Sequence, residues 1–413
     1  KAGGAMRANR VTATAGSSPA HQGPAGRLAG QVAGPKRLPY LDDLKVGLVA
    51  AIIAGHAVIG YATVGSWLYQ DVQEARITPA AETLFAFVLV PPALFAMGLF
   101  FLMAGLLTPG SLDRKGPRRF AGDRLLRLGL PWASFALVLW PLLMFAMYRA
   151  IGAPLSSLRA DLAEPLGDTG PLWFLVVLLL YSLGYVAWWQ LRTRHRRAPD
   201  RPGSGPPGTL GGRHLVAIAA AIATATFVVR WWFPMDSGQV ANLKPWQWPQ
   251  YLAMFGLGVM SGRRGWLAPV PDRLRRGCGL AALAATLSIP LLILVADALG
   301  LPTEIELFAG GWGWQAAVTA ATEGVLAVSA SLWLLGVAQR HAGPRGPLAR
   351  GLARSAYGAF VVQGPVLVAL ALVLRPLVLP AAVKALAVAV AGVGGSFALG
   401  WLLVAHTRLG RIL

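Results

Sequence analysis

The chain has little charge and almost no cysteine. Only 13% of its 413 residues are Asp, Glu, Lys or Arg, whereas an average soluble domain has about 25%. The single cysteine, Cys278, excludes a disulfide within the chain and a metal site built from several cysteines. Hydrophobic residues make up 55% of the sequence. This composition predicts an integral membrane protein.

Long apolar blocks recur along the sequence and predict an all-α fold. Each block has about 18 to 25 residues, enough for a helix to cross a hydrocarbon core of roughly 30 Å. We predict a polytopic membrane helix bundle with about ten transmembrane helices. The predicted spans are residues 44–61, 84–107, 130–148, 171–191, 214–233, 247–262, 277–300, 313–338, 355–378 and 382–406.

The first 37 residues differ from the rest of the chain. They contain Gly, Ala, Ser, Pro and Arg without a run of large apolar residues, so they cannot bury enough surface to offset the entropy of ordering them. We expect residues 1–37 to form a disordered cytoplasmic tail and residues 38–410 to form the transmembrane domain.

The positions of the basic residues predict the orientation. The formal net charge is +20, but the 37 Lys and Arg lie mostly in short loops and not in a patch that would bind nucleic acid. The tail and alternate loops hold 29 of them, and the intervening loops hold 6. Basic residues near span ends are retained on the cytoplasmic side. We therefore expect a multi-pass protein of the inner (plasma) membrane with both termini cytoplasmic, in contact with membrane lipid and with no nucleic acid.

Few ionisable side chains lie inside the predicted spans. A charged group at the bilayer centre costs several kcal/mol, so each such residue is a candidate for function. The candidates are Lys45, His56, Arg230, Asp297 and Glu323. Among these, His56 is the deepest titratable base.

Lys45 and His56 share one face of the first predicted helix. They are eleven positions apart, which is close to three turns and a rise of about 16 Å. Lys45 is therefore expected near the cytoplasmic boundary, one turn after Asp42, and His56 near mid-membrane. A neutral imidazole there can take a proton from a hydroxyl. The structural alternative is a histidine bonded to a neighbouring backbone carbonyl.

One segment around these residues resembles a known family. RLPYLDDLKVGLVAAIIAGHA, residues 37–57, looks like the first helix of the membrane-bound acyltransferase 3 family. The signature of that helix is Arg or Lys, ten residues, then His. Lys45 and His56 fit this signature.

Later segments extend the resemblance. FFLMAGLLTPGSLDRKGPRRFAGDRLLRLGLPW, residues 100–132, is similar to the end of the family's second helix and the inner loop after it. Arg124 and Arg127 fit the Arg-x-x-Arg pair that precedes Leu-x-x-Pro there. GPLWFLVVLLLYSLGY at 170–185 and LARSAYGAFVVQGPVLV at 352–368 resemble later family segments.

The resemblance spans most of residues 37–406 and implies an enzyme, an integral membrane O-acyltransferase. It implies transfer of an acyl group from a cytoplasmic acyl-CoA, which is a donor substrate and not a bound cofactor. The implied acceptor is a hydroxyl of an extracytoplasmic polysaccharide, glucan, glycolipid or glycosylated small molecule. The branch that the chain resembles most includes glucan succinyltransferases, which implies polysaccharide modification. His56 would serve as base or acyl carrier, and Lys45 with Asp42 would hold the helix entrance or the donor.

Three positions depart from the family pattern. Family members more often have Arg where Lys45 stands, and Lys keeps the charge but loses the planar fork that grips an anion with two bonds. They often have Ser where Ala104 stands and His where Gln363 stands. Since Gln363 cannot act as a base, any role of that late histidine is unsupported here.

Four arginines are candidate ligands of the donor phosphates: Arg118, Arg119, Arg124 and Arg127. The sequence predicts a helix that begins at Pro117 and closes at Pro131, so that Arg124 and Arg127 share a face. Retention of basic residues on the cytoplasmic side explains the same arginines without a ligand. In that case Asp123 is expected to pair with Arg119 or Arg127, each four residues away.

Two further residues are candidates on the acceptor side. Trp173, at the outer start of the fourth span, is either an interface anchor or a ring on which a sugar stacks. Glu323 either pairs with Arg230 or lines the acceptor cavity.

Two other classes of protein share some of these features. A secondary transporter or flippase would also have ten spans, buried charges and proline-broken helices, but it would show two related halves, and none is visible. A catalytically silent relative that binds lipid or a scaffold partner is suggested by Ala104 and Gln363. The sequence contains no Walker A, Rossmann glycine fingerprint, Zn-type His cluster or Gly-x-Ser-x-Gly elbow. Nucleotide hydrolysis and a metal site are therefore not expected.

Overall fold

A computed structural model describes most of the chain. The described residues are 38–63, 65, 67–152, 154, 156, 170–195, 210–235, 242–267, 269–341, 343 and 346–411. Within these ranges every regular element is a helix. The predicted disordered tail at residues 1–37 lies outside them.

Ten long helices form the described bundle. They are α1 Pro39–Ile59, α2 Pro79–Lys115, α3 Pro117–Ala150, α4 Trp173–His195, α5 Gly212–Val229, α6 Trp248–Arg264, α7 Asp272–Ala298, α8 Trp314–His341, α9 Pro347–Leu374 and α10 Ala381–His406. By length and composition, eight of the described helices can cross a membrane. The other two match predicted spans, but α1 begins with charged residues and α6 has only 17 residues. The predicted polytopic membrane helix bundle is confirmed, and its count of about ten includes these two helices.

α3 is one continuous helix, which corrects the prediction that Pro131 closes a helix before a separate span at 130–148. Proline removes one backbone hydrogen bond from a helix and crowds the preceding turn. In α3 a π-helical turn precedes this proline at Leu125–Gly129, and a second follows it at Phe135–Leu139. These wider turns let the helix continue past the proline. The predicted start of the helix at Pro117 is confirmed.

Glycine allows the most extensive helix pairs to approach closely. Gly105 on α2 faces Gly258 on α6, and a Cβ atom at Gly258 would lie 2.9 Å from the backbone nitrogen of Leu106. α9 and α10 meet in the same way, since a Cβ atom at Gly400 would lie 2.5 Å from the backbone nitrogen of Ala359. Small residues of this kind let membrane helices associate through van der Waals packing.

α8 is the central helix of the described bundle, and α1 packs beside it. Of the apolar segment of α8, 72% is buried, against 17% for α5 and for α7, which pack against it. α1 contacts α8, α9 and α10. The helix that carries His56 is therefore surrounded by other helices.

We predict that Gly258→Ala destabilises the bundle and that Gly256→Ala does not. A Cβ atom at Gly258 would overlap the backbone of α2, whereas nothing lies within 4 Å of a Cβ atom at Gly256 on the same helix. Overpacking costs about 1–3 kcal/mol, while replacing an unconstrained helical glycine by alanine stabilises by about 0.5–1 kcal/mol. Thermal unfolding in detergent should show a lower midpoint only for Gly258→Ala. Equal midpoints for the two variants would contradict the close approach of α2 and α6.

Candidate active site

His56 lies in the last turn of α1 and contacts two side chains that are distant in sequence. Its Nδ1 atom is 3.0 Å from Oε1 of Gln363 on α9. The indole of Trp67 stacks on the imidazole, with ring centroids 4.2 Å apart and ring planes 11° apart. The partner is thus a side-chain amide and not the backbone carbonyl of the structural alternative. Gln363 therefore holds the edge of the imidazole at Nδ1, and Trp67 covers one of its faces.

The hydrogen bonds of Gln363 fix the tautomer of His56. Gln363 is completely buried, and its Nε2 donates to the backbone oxygen of Phe360 at 3.0 Å. Since a carbonyl only accepts, the amide NH₂ group faces Phe360 and the amide oxygen faces His56. That oxygen accepts a hydrogen bond from Nδ1–H. The other ring nitrogen, Nε2, then carries the lone pair.

Trp67 reaches His56 from the segment between α1 and α2. It stands directly before a 3₁₀ turn, Leu68–Val72, and is 6% exposed. The fit is tight, since a Cβ atom at Gly60 would lie 3.3 Å from the indole. Trp67 was not among the predicted site residues, because a single tryptophan in a loop has no spacing that points to a partner.

Lys45 and Asp42 form an ion pair near the other end of α1. Their Nζ and Oδ1 atoms are 3.6 Å apart, and both side chains are 34% exposed. α1 is unbroken from Lys45 to His56, so the two are separated by the expected rise of about 16 Å. The structure brings Lys45 to Asp42 and keeps both away from the imidazole.

The four arginines predicted to bind the donor lie near the start of α3. Arg118, Arg119 and Arg127 are exposed. Arg124 is half-buried, and its guanidinium carbon lies 5.0 Å from the ring centre of Phe120. Three of the four cationic groups are therefore open to an anionic ligand.

Tyr357 ties this part of α3 to α9. Pro131 has no N–H to give to the carbonyl of Arg127, four residues earlier. That oxygen instead accepts a hydrogen bond of 2.5 Å from the hydroxyl of Tyr357. The helix that supplies Gln363 is thus bonded directly to the segment of the predicted donor arginines.

Asp123 pairs with Lys115, which corrects the predicted pairing with Arg119 or Arg127. Lys115 is the last residue of α2, and Gly116, with a φ of 72°, redirects the chain so that the first turns of α3 lie beside it. The pair therefore joins two helices and does not run along one. An open surface depression beside it is lined by Lys115, Arg119, Gly122, Asp123 and Leu126.

Glu323 and Arg230 form a buried ion pair between α8 and the end of α5. Nη2 of Arg230 donates to Oε2 of Glu323, and the side chains are 1% and 0% exposed for Arg230 and Glu323. The first alternative for Glu323, a pair with Arg230, is confirmed. The guanidinium also lies over Trp246, 5.3 Å from its ring centre. Because breaking a buried pair costs about 3–5 kcal/mol, this contact fastens α5 to the central helix.

Trp173 begins α4 and stacks on Tyr251 of α6. The ring centroids are 5.6 Å apart and the planes 28° apart. Trp173 is half-buried, so part of its surface stays accessible to a membrane interface or to a sugar.

The loop before α6 brings a cation toward His56. Asn242 and Lys244 have φ values of 56° and 53°, a region that residues with a Cβ atom rarely adopt. The indole N–H of Trp248 donates to the backbone oxygen of Leu243 at 2.9 Å and helps to hold the loop. Lys244 interacts electrostatically with His56. Strained backbone of this kind is typical of functional sites.

Comparison with known proteins identifies the family of the chain. The family model of acyltransferase 3, described as an acyltransferase domain, matches residues 38–405. No curated protein and no solved structure is significantly similar to the chain. The match covers α1 to α9 and nearly all of α10. The chain therefore belongs to the acyltransferase 3 family and is a membrane acyltransferase.

Proposed function

We propose that the protein transfers an acyl group from a cytoplasmic acyl-CoA to a hydroxyl group of an extracytoplasmic carbohydrate. The observation that carries this proposal is the tautomer of His56, because Gln363 occupies Nδ1–H and leaves the lone pair on Nε2. Across the described part of the chain, no side chain bonds to Nε2. A neutral imidazole with one nitrogen free is suited to act as a general base or as a nucleophile.

Two routes use this nitrogen. In the first, Nε2 removes the proton of the acceptor hydroxyl as its oxygen attacks the thioester carbonyl; the C–S bond breaks and the proton passes to the departing thiolate. In the second, Nε2 itself attacks the thioester carbonyl and the CoA thiolate leaves. In a second step the oxygen of the acceptor hydroxyl attacks the acyl carbonyl, the bond from that carbon to Nε2 breaks, and the hydroxyl proton passes to the thiolate. Only the second route passes through an acyl-enzyme.

The donor side of the proposal lies at the start of α3 and of α1. Coenzyme A carries several phosphate charges, and each charge-assisted hydrogen bond from arginine contributes about 1.5–3 kcal/mol. We assign this role to Arg118, Arg119, Arg124 and Arg127. Lys45, paired with Asp42, is the further cation on the helix that leads to His56.

The acceptor side is proposed at the opposite end of α1. Trp173 keeps part of its ring surface accessible, which supports stacking against a sugar. Glu323 is completely buried in its pair with Arg230, so we place it behind the acceptor site, where it holds helices. The resemblance to glucan succinyltransferases supports a glucan, another polysaccharide or a glycolipid as acceptor, and thus a function in polysaccharide modification.

The distribution of basic loops supports a plasma-membrane location with both termini in the cytoplasm. This orientation directs the donor arginines toward cytoplasmic acyl-CoA. A catalytically silent relative was suggested by Ala104 and Gln363, but the bond from His56 to Gln363 argues against it. The amide supplies the acceptor that orients a catalytic imidazole.

We predict that His56→Ala abolishes acyl transfer without unfolding the protein. Loss of a general base lowers the rate by about 10² to 10⁴, and loss of a nucleophile removes the route entirely. The measurement is transfer of radiolabelled acyl-CoA to an oligoglucan by purified protein in nanodiscs. His406→Ala, at an exposed histidine at the end of α10, is the matched control and should keep wild-type turnover.

Wild-type turnover in His56→Ala would contradict the proposed function. Label that remains on the wild-type protein when acceptor is omitted, and is missing from His56→Ala, would identify the acyl-enzyme route.

We predict that Gln363→Leu lowers kcat roughly tenfold or more, because the imidazole then loses the partner that fixes its tautomer. The control is Gln339→Leu. Gln339 also makes two bonds through its amide, to Val270 N at 2.8 Å and Leu267 O at 2.6 Å, but it lies outside the proposed site. Equal losses in the two variants would show that Gln363 matters only for folding.

We predict that changing Arg124 and Arg127 together to Gln raises the KM for acyl-CoA well over tenfold. Two charge-assisted bonds are lost, and each 1.4 kcal/mol is about a factor of ten. Added salt should weaken wild-type binding in the same direction. The control changes Arg273 and Arg276 to Gln, which are exposed and equally spaced at the start of α7.

Inverted membrane vesicles should use added acyl-CoA, and right-side-out vesicles should not; the reverse would contradict the proposed orientation.

An unchanged KM in the Arg124 and Arg127 variant, with a raised KM in the control, would move the donor site to the 263–276 loop.

A further inference from the structure

A charged cluster outside the proposed site holds the segment that carries Trp67. The side chain of Glu74, 18% exposed, accepts hydrogen bonds from the hydroxyl of Tyr69 and from Nζ of Lys384, each at 2.6 Å. Nη1 of Arg375 lies 4.0 Å from the same carboxylate. The carboxylate of Glu74 thus contacts one group of its own segment and two cations that are distant in sequence.

The cluster joins this segment to α9 and α10. Arg375, just past the end of α9, donates to the backbone oxygen of Val72 at 2.7 Å. Lys384, in the first turn of α10, donates to the backbone oxygen of Arg375 at 3.1 Å. Tyr69 is 1% exposed. The segment is therefore fastened to the same helix that supplies Gln363.

The position of Lys384 is unfavourable without its carboxylate partner. A cation in the first turn of a helix faces the positive end of the helix dipole, and this side chain is only 3% exposed. A buried charge is costly unless it is paired. Burial raises the pKa of Glu74, but the hydrogen bonds from Lys384 and Tyr69 outweigh it and hold that pKa below its usual range. The carboxylate is therefore charged at neutral pH, as the pairing requires.

The hydrogen bond to Gln363 does not by itself fix the orientation of the imidazole ring. A bond at Nδ1 fixes the position of one ring atom, whereas it does not fix the plane of the ring. The indole of Trp67, nearly parallel to the imidazole at 4.2 Å, fixes that plane, because a rotated ring would run into its face.

We propose that Glu74 is a positioning residue for His56. By holding the segment at residues 67–77 against α9 and α10, it keeps the indole of Trp67 on the imidazole and Nε2 turned toward the substrate. The inference rests on the proposed function, since it requires that His56 act in the reaction. It assigns to Glu74 an effect on turnover and not on donor affinity.

The test is a double-mutant cycle of Glu74→Gln and Trp67→Leu in the full chain in nanodiscs. It measures kcat and the KM for acyl-CoA per folded molecule. We expect each single variant to lower kcat about tenfold, with KM changed by less than about twofold. The double variant should lose no more than Trp67→Leu alone, because the two residues act through one contact. Trp67→Phe keeps a stacking ring and should restore most of the turnover. Glu304→Gln, at an exposed carboxylate between α7 and α8, is the control and should leave kcat unchanged.

Losses that multiply in the double variant would overturn the proposal, since Glu74 would then act by another path. A lower unfolding temperature for Glu74→Gln, with wild-type kcat in the folded fraction, would also overturn it and leave only a structural role. Wild-type turnover in His56→Ala would overturn the proposed function itself. An inactive His56→Ala together with wild-type kcat in Glu74→Gln would overturn only the positioning role.

Discussion

The interior of a membrane offers no water to a polar side chain, so each polar group within the bundle depends on a partner in the chain. Arg230 meets this constraint in part, since its Nη2 donates to Glu323 while its Nε and Nη1 have no hydrogen bond. Gln363 meets it with both ends of its amide, one on a backbone carbonyl and one on His56. Within the described residues, Nε2 of His56 also has no protein partner, and it shares this with several other polar atoms, among them Oε1 of Glu323 and the hydroxyl of Ser182. A nitrogen without a protein partner is what the proposed transfer needs, because a substrate hydroxyl or thioester must find it free.

The same constraint explains why the site is built on α9 and α10. These helices meet backbone to backbone at Gly400, where no side chain separates them. α1 packs against both. Gln363 and Arg375 come from α9 and the turn after it, and Lys384 from the start of α10. The edge of the imidazole is thus held directly by this helix pair, and its face indirectly through Glu74 and Trp67. A rigid pair can hold a ring more exactly than a loop can.

The sequence predicted the helices well, because apolar blocks and helical spacing are local patterns. Apolar blocks define spans, and spacing along a helix places Lys45 and His56 on α1. The contacts of His56 could not be predicted in this way, since Gln363 lies 307 residues away. Its partner was identified only as a departure from a family histidine.

The errors in prediction have physical causes of the same kind. Pro131 is a helix breaker by local rules, but π-helical turns on either side let α3 continue. Asp123 has arginines at helical spacing, yet it pairs with Lys115 because Gly116 sets α3 beside the end of α2. In both cases the arrangement of neighbouring turns or helices outweighs the conformation or pairing that the local sequence of one helix favours.

The bond from Tyr357 to the carbonyl of Arg127 has a mechanical consequence. Tyr357 and Gln363 are six residues apart on one unbroken helix, which is about 9 Å along its axis. Tyr357 bonds to the backbone of α3 at Arg127, and Gln363 bonds to the imidazole of His56. A helix is stiff over this length, so its two contacts keep a fixed separation along the axis. A shift of α9 along its axis would therefore move the contact with Arg127 and the contact with His56 together.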